Sequence, residues 1–155
     1  MKNYKDSIDY LTKMFELYEK SFGFESEKSA KIFMELGQIY ELSENVNDAI
    51  EYYKSSYTIW EKIITDGNYE LLFTLAIKIS ELYEKIQKIQ EAFEILKVTE
   101  TKYSQTLDSK YNKKMISFKK LLINYASSIQ DLDVYLEELL GLEVKLINLE
   151  NAPRG

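Results

Sequence analysis

The first residues that could do chemistry are acidic side chains standing close together, such as Glu41 with Glu44 and Glu137 with Glu138. Paired carboxylates can act as general acid and base, or can hold two metal ions inside a helical bundle. Such a bundle uses Glu-x-x-His motifs, and this chain contains neither His nor Cys. We therefore interpret the pairs as solvated helix faces and expect no enzyme, no catalytic residue, no cofactor and no metal site.

A cluster of lysines is the second candidate, because it could meet phosphate groups. Its members are Lys110, Lys113, Lys114, Lys119 and Lys120. Nucleic-acid-binding proteins usually combine such lysines with aromatic or arginine side chains. The one arginine of this chain is Arg154, which is far from the cluster in the sequence. The chain has 26 acidic against 20 basic residues and a formal charge of −6. This balance argues against nucleic acid and anionic membranes as partners.

The beginning of the chain is charged and amphipathic, which is not typical of a secretory signal. No stretch approaches the roughly 18 consecutive apolar residues of a membrane span. We therefore expect a cytoplasmic protein.

The elements that must position these residues are helices. The chain has only 5 Gly and 1 Pro, and its apolar residues recur at helical spacing almost throughout. Breaks in that pattern predict seven helices, and no strand pattern competes. We place the helices at 4–22, 26–43, 47–65, 69–86, 89–106, 110–128 and 131–149.

A repeat organises these helices. Three positions of the first unit return 43 residues later, and one of them returns again after a further 42 residues. The matched residues are Leu36, Tyr40 and Ala49 with Ile79, Tyr83 and Ala92, followed by Tyr125. A fixed period of this size is typical of stacked helical units.

The spacing inside the first unit resembles the tetratricopeptide repeat (TPR), since Leu36-Gly37 is followed by Tyr40, Ala49 and Tyr53. The long period, Gly23 ahead of Ala30, and Glu61-Lys62 are similar to the kinesin light chain subclass with its 42-residue repeats. The resemblance implies an all-α fold, a right-handed α-α superhelix or solenoid of about three and a half helical hairpins. In that family small residues let two helices approach closely and aromatic rings fill the gap. Glu44 and Gln87 stand where the family has a glycine between the helices.

The same resemblance implies a domain organisation. We expect one TPR-like domain over residues 1–149 and a flexible tail at 150–155. The domain would consist of a partial repeat at 4–25 and full repeats at 26–68, 69–109 and 110–149.

The resemblance also implies a partner-binding groove on the outward positions of the first helix of each repeat. These positions are Met34, Gln38 and Glu41, then Ile77, Lys78 and Glu81, then Lys119, Lys120 and Ile123. Apolar residues occupy the middle, Glu41 and Glu81 form one flank, and the lysines form the other. An extended or helical peptide with an apolar anchor and an acidic residue would fit such a strip. The alternative is an ordinary solvated face.

Two further features have open interpretations. Trp60 either packs against the following helix or serves as an exposed partner anchor. Helix 131–149 has an apolar face wider than one neighbour needs, which predicts packing on further chain or self-association with a second copy.

The function expected from these features is that of a non-enzymatic scaffold or adaptor for protein ligands. Its complex could be a motor-cargo, cytoskeletal or ciliary one. The alternative is the peptide-sensing TPR domain of a bacterial regulator, in which a further domain supplies the output.

Overall fold

A computed structural model of the protein describes residues 3–67, 69–103, 112–129 and 132–153. These ranges contain seven α-helices and no strand. The helices are α1 (Tyr4–Phe22), α2 (Glu27–Leu42), α3 (Val46–Ile63), α4 (Glu70–Lys85), α5 (Ile89–Tyr103), α6 (Asn112–Ser128) and α7 (Leu132–Glu150). The all-α prediction is confirmed. The predicted ends at 106, 110 and 131 lie outside the described residues.

The chain divides into two compact units, residues 1–68 with α1 to α3 and residues 69–155 with α4 to α7. The boundary coincides with the one predicted between the repeats 26–68 and 69–109. The single TPR-like domain over 1–149 stays a prediction.

In the first unit, α2 packs against α3 and α1 packs against α2. Small residues permit the close approach of α2 and α3: Ala30 and Ala49 are fully buried, and Gly37 lies against the ring of Tyr53. Larger apolar side chains complete the core of this unit. They are Leu11, Ile32, Phe33, Leu36 and Ile59.

The second unit repeats this arrangement, with α4 on α5, α5 on α6, and α6 on α7. Ala92 is fully buried at the position that corresponds to Ala49. The largest side chains of its core are fully or almost fully buried. They are Leu72, Phe73, Leu75, Ile79, Leu82, Phe93, Leu96, Phe118, Leu122 and Tyr125. Burial of such side chains is the main favourable contribution to folding.

The turns inside the two repeats have the same geometry. Glu44 has a φ of 63° and Gln87 a φ of 60°, both in the left-handed region. Just beyond each of them, an amide reaches back to a tyrosine carbonyl. Asn45 N donates to Tyr40 O and Lys88 N donates to Tyr83 O, each at 2.9 Å. This capping motif usually has glycine at the left-handed residue.

Trp60 is half-buried and packs against the core of the first unit. Its indole Nε1 is buried and has no hydrogen-bond acceptor among the described residues. Trp60 therefore packs in the core of its own unit and is not an exposed anchor, while its contact with the following helix stays a prediction.

Candidate functional site

The first three predicted groove residues lie on one face of α2, at helical spacings of four and three. Met34 is half-buried and Gln38 is exposed. Glu41 is half-buried, and its carboxylate accepts a hydrogen bond from the hydroxyl of Tyr53 at 3.2 Å. Burial, together with the charge of Glu41 and this bond, raises the pKa of the Tyr53 hydroxyl far above its ordinary value. Tyr53 therefore stays a donor, and Glu41 is held against α3.

In the second unit, α4 and α6 are neighbours. Ile77 and Lys78 on α4 are half-buried, and Glu81 is exposed one turn later. On α6, Ile123 is half-buried, and Lys120 is exposed and forms an ion pair with Glu150 at 3.2 Å. We call these five residues the α4–α6 strip. It offers partly exposed apolar side chains with charged groups beside them.

Lys119 does not belong to this exposed surface. Its side chain is only 3% exposed and forms an ion pair with Glu100 of α5. The prediction that Lys119 is solvated and lines the groove is therefore wrong. Its partner Glu100 lies 19 residues earlier in the sequence, on another helix. The helical spacing within α6 therefore does not indicate that Lys119 is buried.

The carboxylate of Glu100 joins three helices through one atom. Its Oε1 accepts from Lys119 of α6 and also from Lys145 of α7, the latter at 2.9 Å. Burial opposes ionisation, but the two lysines outweigh it and hold the pKa of Glu100 below its ordinary value. Burial lowers the pKa of Lys119, while Glu100 acts in the opposite direction. We expect both groups to be charged near neutral pH.

Two other lysines of the basic cluster, Lys114 and Lys120, also have acidic partners. Lys114 donates to Glu70 at 2.6 Å and to the Thr74 hydroxyl at 2.9 Å, and Lys120 pairs with Glu150. A phosphate-binding surface needs lysines that can turn to the ligand. These contacts tie Lys114 to α4, whereas the Lys120 pair is solvent-exposed and can open to a ligand.

Comparison with known proteins gives a match in structure. No protein-family model and no curated protein sequence matches this chain. Among solved structures, the crystal structure of the nearly identical TPR-like repeats of a kinesin light chain-type protein from Podosopora anserina is similar, with a TM-score of 0.66. The identity is 17%, and the match covers 92% of this chain and 68% of the other. A single-residue variant of those repeats matches with a TM-score of 0.65 at the same identity and coverage.

The chain has a TPR-like fold. Its helical repeats are of the kind seen in those kinesin light chain-type repeats, as the 42- to 43-residue period predicts. At 17% identity the likeness shows the fold and not the function.

The TPR-like arrangement leaves a cleft beside the predicted groove in the first unit. It lies between α1 and α2 and has a volume of about 400 Å³. Its lining is acidic and aromatic, with Tyr10 exposed over 64% of its surface. The lining residues are Asp6, Ser7, Tyr10, Leu11, Glu35 and Ile39. Our sequence analysis missed this cleft, because its lining combines residues of two helices.

On α7, three apolar side chains at helical spacing are each more than half exposed. They are Leu140, Val144 and Ile147. The other apolar residues of the wide face predicted for helix 131–149 include side chains outside the described part of the structure. Among the described residues, no helix is long and apolar enough to cross a membrane.

Proposed function

We propose that this chain is a non-enzymatic scaffold that binds a peptide or a helix of a partner protein along the α4–α6 strip. The observation that carries the proposal is the pair of half-buried isoleucines, Ile77 and Ile123, on two neighbouring first helices of a TPR-like fold. Apolar side chains that are already partly enclosed can anchor a partner residue at low desolvation cost. The α2 face with Met34, Gln38 and Glu41 is the corresponding surface of the first unit.

The charges of the strip favour an acidic partner. Lys78 and Lys120 lie on the two helices, and the ion pair between Lys120 and Glu150 is solvent-exposed, so a partner carboxylate can compete for it at small cost. Glu81 disfavours an acidic residue at its own end of the strip. The partner segment should therefore combine an apolar anchor with an acidic residue placed near the lysines.

In a cell, we propose that the scaffold works in the cytoplasm and that its partner belongs to a motor-cargo, cytoskeletal or ciliary complex. This rests on the likeness of the fold to the kinesin light chain-type repeats. A pull-down with this protein as bait, from extracts with and without intact microtubules, would test it. Recovery of a motor, cytoskeletal or ciliary protein would support the proposal, and its absence would contradict it.

The strip itself can be tested with a displayed library of random 16-residue peptides. We expect wild-type protein to select sequences with an aliphatic or aromatic residue near Asp or Glu. In calorimetry, the Lys78→Glu, Lys120→Glu double variant should weaken the selected peptides by about 1–3 kcal/mol at low salt, and by less at high salt. Ile77→Ser should shorten the bound lifetime more than it slows association.

Lys88→Glu is the matched control, because Lys88 is an exposed lysine of the same unit in the α4–α5 turn. It should bind the selected peptides as wild type does. If Lys88→Glu weakens binding as much as the double variant while all the proteins melt together, the partner does not use this strip.

We further propose that the exposed stripe Leu140, Val144 and Ile147 of α7 associates with a second copy of the chain. Its counterpart helix α5 is covered by α6, so a second helix of these repeats normally has its outer apolar residues packed. Light scattering over a concentration series should report dimers for the wild type and monomers for Leu140→Glu, Ile147→Glu. A wild type that stays monomeric at every concentration contradicts the proposal.

A further inference from the structure

The cleft between α1 and α2 has apolar surface that a partner can reach. Its volume of about 400 Å³ falls within the roughly 300–1,000 Å³ of ligand sites. Tyr10 on α1 is 64% exposed, and Ile39 on α2 is half-buried. Leu42 follows Ile39 by three residues on the same helix and is 53% exposed. A partner that covers these side chains removes apolar surface from water, which favours binding.

Each of the two helices also has a carboxylate one turn before its apolar side chain. Asp6 precedes Tyr10 by four residues on α1, and Glu35 precedes Ile39 by four residues on α2. Both carboxylates belong to the lining of the cleft, and both residues are exposed. Negative charge therefore accompanies apolar surface on both walls.

Neither carboxylate forms an ion pair within the described part of the chain, and no lysine is among the lining residues. Asp6 accepts a hydrogen bond from the side-chain amide of Asn3, which is a neutral donor. Lys31 lies one turn before Glu35 on α2, but it pairs with Glu27. The cleft therefore favours a cation.

Two further carboxylates act on the residue next to Ile39. Burial, followed by the neighbouring Tyr52 and by the charges of Asp48 and Asp9, raises the pKa of the Tyr40 hydroxyl. The negative charge of the lining is therefore reinforced by its surroundings in the same unit.

The combination of carboxylates with an exposed aromatic ring suits arginine. A guanidinium group can donate two parallel N–H bonds to one carboxylate, and its flat face can stack on an aromatic ring. Its aliphatic stem can lie along an apolar wall while the charged end stays at the rim. Lysine has the charge and the stem but neither the fork nor the flat face.

We propose that the α1–α2 cleft binds an arginine side chain of a partner protein. The guanidinium donates to Asp6 or Glu35 and lies on the ring of Tyr10, and an apolar residue beside the arginine covers Ile39 and Leu42. The α4–α6 strip is assigned to an acidic segment, so the two surfaces select opposite charges. The proposal is independent of the function assigned to that strip.

Titration with short peptides, followed by amide NMR shifts, tests the proposal. Acetyl-Leu-Arg-Leu-amide should shift the amides of Ser7, Tyr10 and Ile39, and the shifts should saturate. The same peptide with citrulline in place of arginine keeps the shape without the charge, and should bind about tenfold more weakly. The peptide with lysine should bind about threefold more weakly than the arginine peptide, because it lacks the planar fork.

Variants of exposed residues separate the site from the fold. Asp6→Asn combined with Glu35→Gln should weaken the arginine peptide about tenfold and leave the citrulline peptide unchanged. Its matched control is Glu16→Gln, an exposed carboxylate of α1 outside the lining, which should bind as wild type does. Tyr10→Ala should weaken the arginine peptide about threefold, whereas Leu17→Ala, which is 66% exposed on the same helix, should not.

All these variants should keep the circular dichroism spectrum of the wild type, since the altered residues are exposed. Lys78→Glu in the α4–α6 strip should leave arginine binding unchanged, so a failure of that strip does not affect this test. A citrulline or lysine peptide that binds as tightly as the arginine peptide would overturn the proposal. So would an Asp6→Asn, Glu35→Gln variant that binds the arginine peptide as wild type does.

Discussion

The repeats formed by α2–α3 and α4–α5 fill the same positions with different side chains. In the first repeat, Gly37 faces Tyr53, and a Cβ added at Gly37 would lie 3.0 Å from three atoms of that ring. In the second repeat, 43 residues later, the pair is Ser80 and Leu96, both fully buried. A larger residue on one helix is matched by a smaller one on the other. The two repeats therefore keep the same volume between their helices and not the same residue types.

The two repeats also differ in how polar groups are used. Ser56 of α3 donates to the carbonyl of Ala30 on α2 at 2.7 Å, which is a buried bond between helices. Its counterpart Thr99 donates instead to Ile95 of its own helix at 2.8 Å, and Phe73 replaces Ala30. The first repeat therefore has a polar bond across its helix pair, whereas at the matching position of the second repeat the threonine hydroxyl bonds within its own helix.

The largest expected effect concerns what the repeats share. Ala49 and Ala92 are both fully buried, so a glutamate at either position must overpack the interface and bury a charge. Each substitution should cost more than about 3 kcal/mol. Thermal melts by circular dichroism measure this, with the exposed Lys54→Glu as control. If one of the two variants melts as wild type does, the two helix pairs are not equivalent.

The next largest effect on stability is expected from the Glu100 carboxylate of the second repeat. The first repeat has Tyr57 at the corresponding position and therefore no such carboxylate. Glu100→Gln leaves the buried Lys119 ammonium without its counter-ion and should cost about 3 kcal/mol. Lys119→Met should cost less, since Glu100 keeps Lys145. The double variant should recover part of the loss. Chemical denaturation measures all three, and equal losses in the two single variants would contradict this account.

The contribution of the Glu100 carboxylate to stability should also depend on pH in the acid range. The lowered pKa of Glu100 means that its contribution to stability is present above its ordinary pKa of 4.5 and is lost as pH falls through the folded-state value. The free energy of unfolding should therefore fall less steeply below about pH 4.5 in Glu100→Gln than in wild type. Parallel curves for the two proteins would show that Glu100 has no such role.

A smaller effect tests the exchange of volume between the helices. Gly37→Ala should cost about 1–3 kcal/mol, because the new methyl group meets the Tyr53 ring. Ser80→Ala removes an oxygen that donates to Ile77 of its own helix at 2.8 Å and also bonds with the Tyr125 hydroxyl, and should cost about 1 kcal/mol. Gly37→Ala combined with Tyr53→Leu should recover stability, because the pair then has nearly the volumes of Ser80 and Leu96 in the second repeat. If the double variant is no more stable than Gly37→Ala, the two residue pairs are not equivalent ways to fill the space between the helices.

The smallest effect should be the same in both repeats. Glu44 and Gln87 hold left-handed conformations that cost a residue with a side chain about 1 kcal/mol. Glu44→Gly and Gln87→Gly should each stabilise the protein by about that amount, since both turns have the same hydrogen bonds. Melting temperatures can resolve the gain. A gain in one turn only would indicate that the other side chain has a further role.

Much of the fold could be predicted because its signals are local. Apolar spacing located the helices, and the 43-residue return of Ala49 as Ala92 located the repeats even where Gln87 replaces the expected glycine. Alanine at a close-approach position is recognisable without a structure, because no larger side chain fits there.

The site was harder to predict because it depends on contacts between distant positions. Lys119 has the same type and spacing as Lys120, yet one is buried and the other exposed. What separates them is Glu100 on another helix, and a single sequence contains no record of that pairing.

Trp60 makes the two compact units optically distinguishable. It is the one tryptophan of the chain and lies in the first unit, with its Nε1 shielded from water. Its fluorescence should be blue-shifted in the native state and should report the melting of α1 to α3, whereas circular dichroism reports all the helices. Coincident transitions by the two signals would mean that the units unfold as one cooperative body. Separate transitions would assign a midpoint to each unit from a single unlabelled sample.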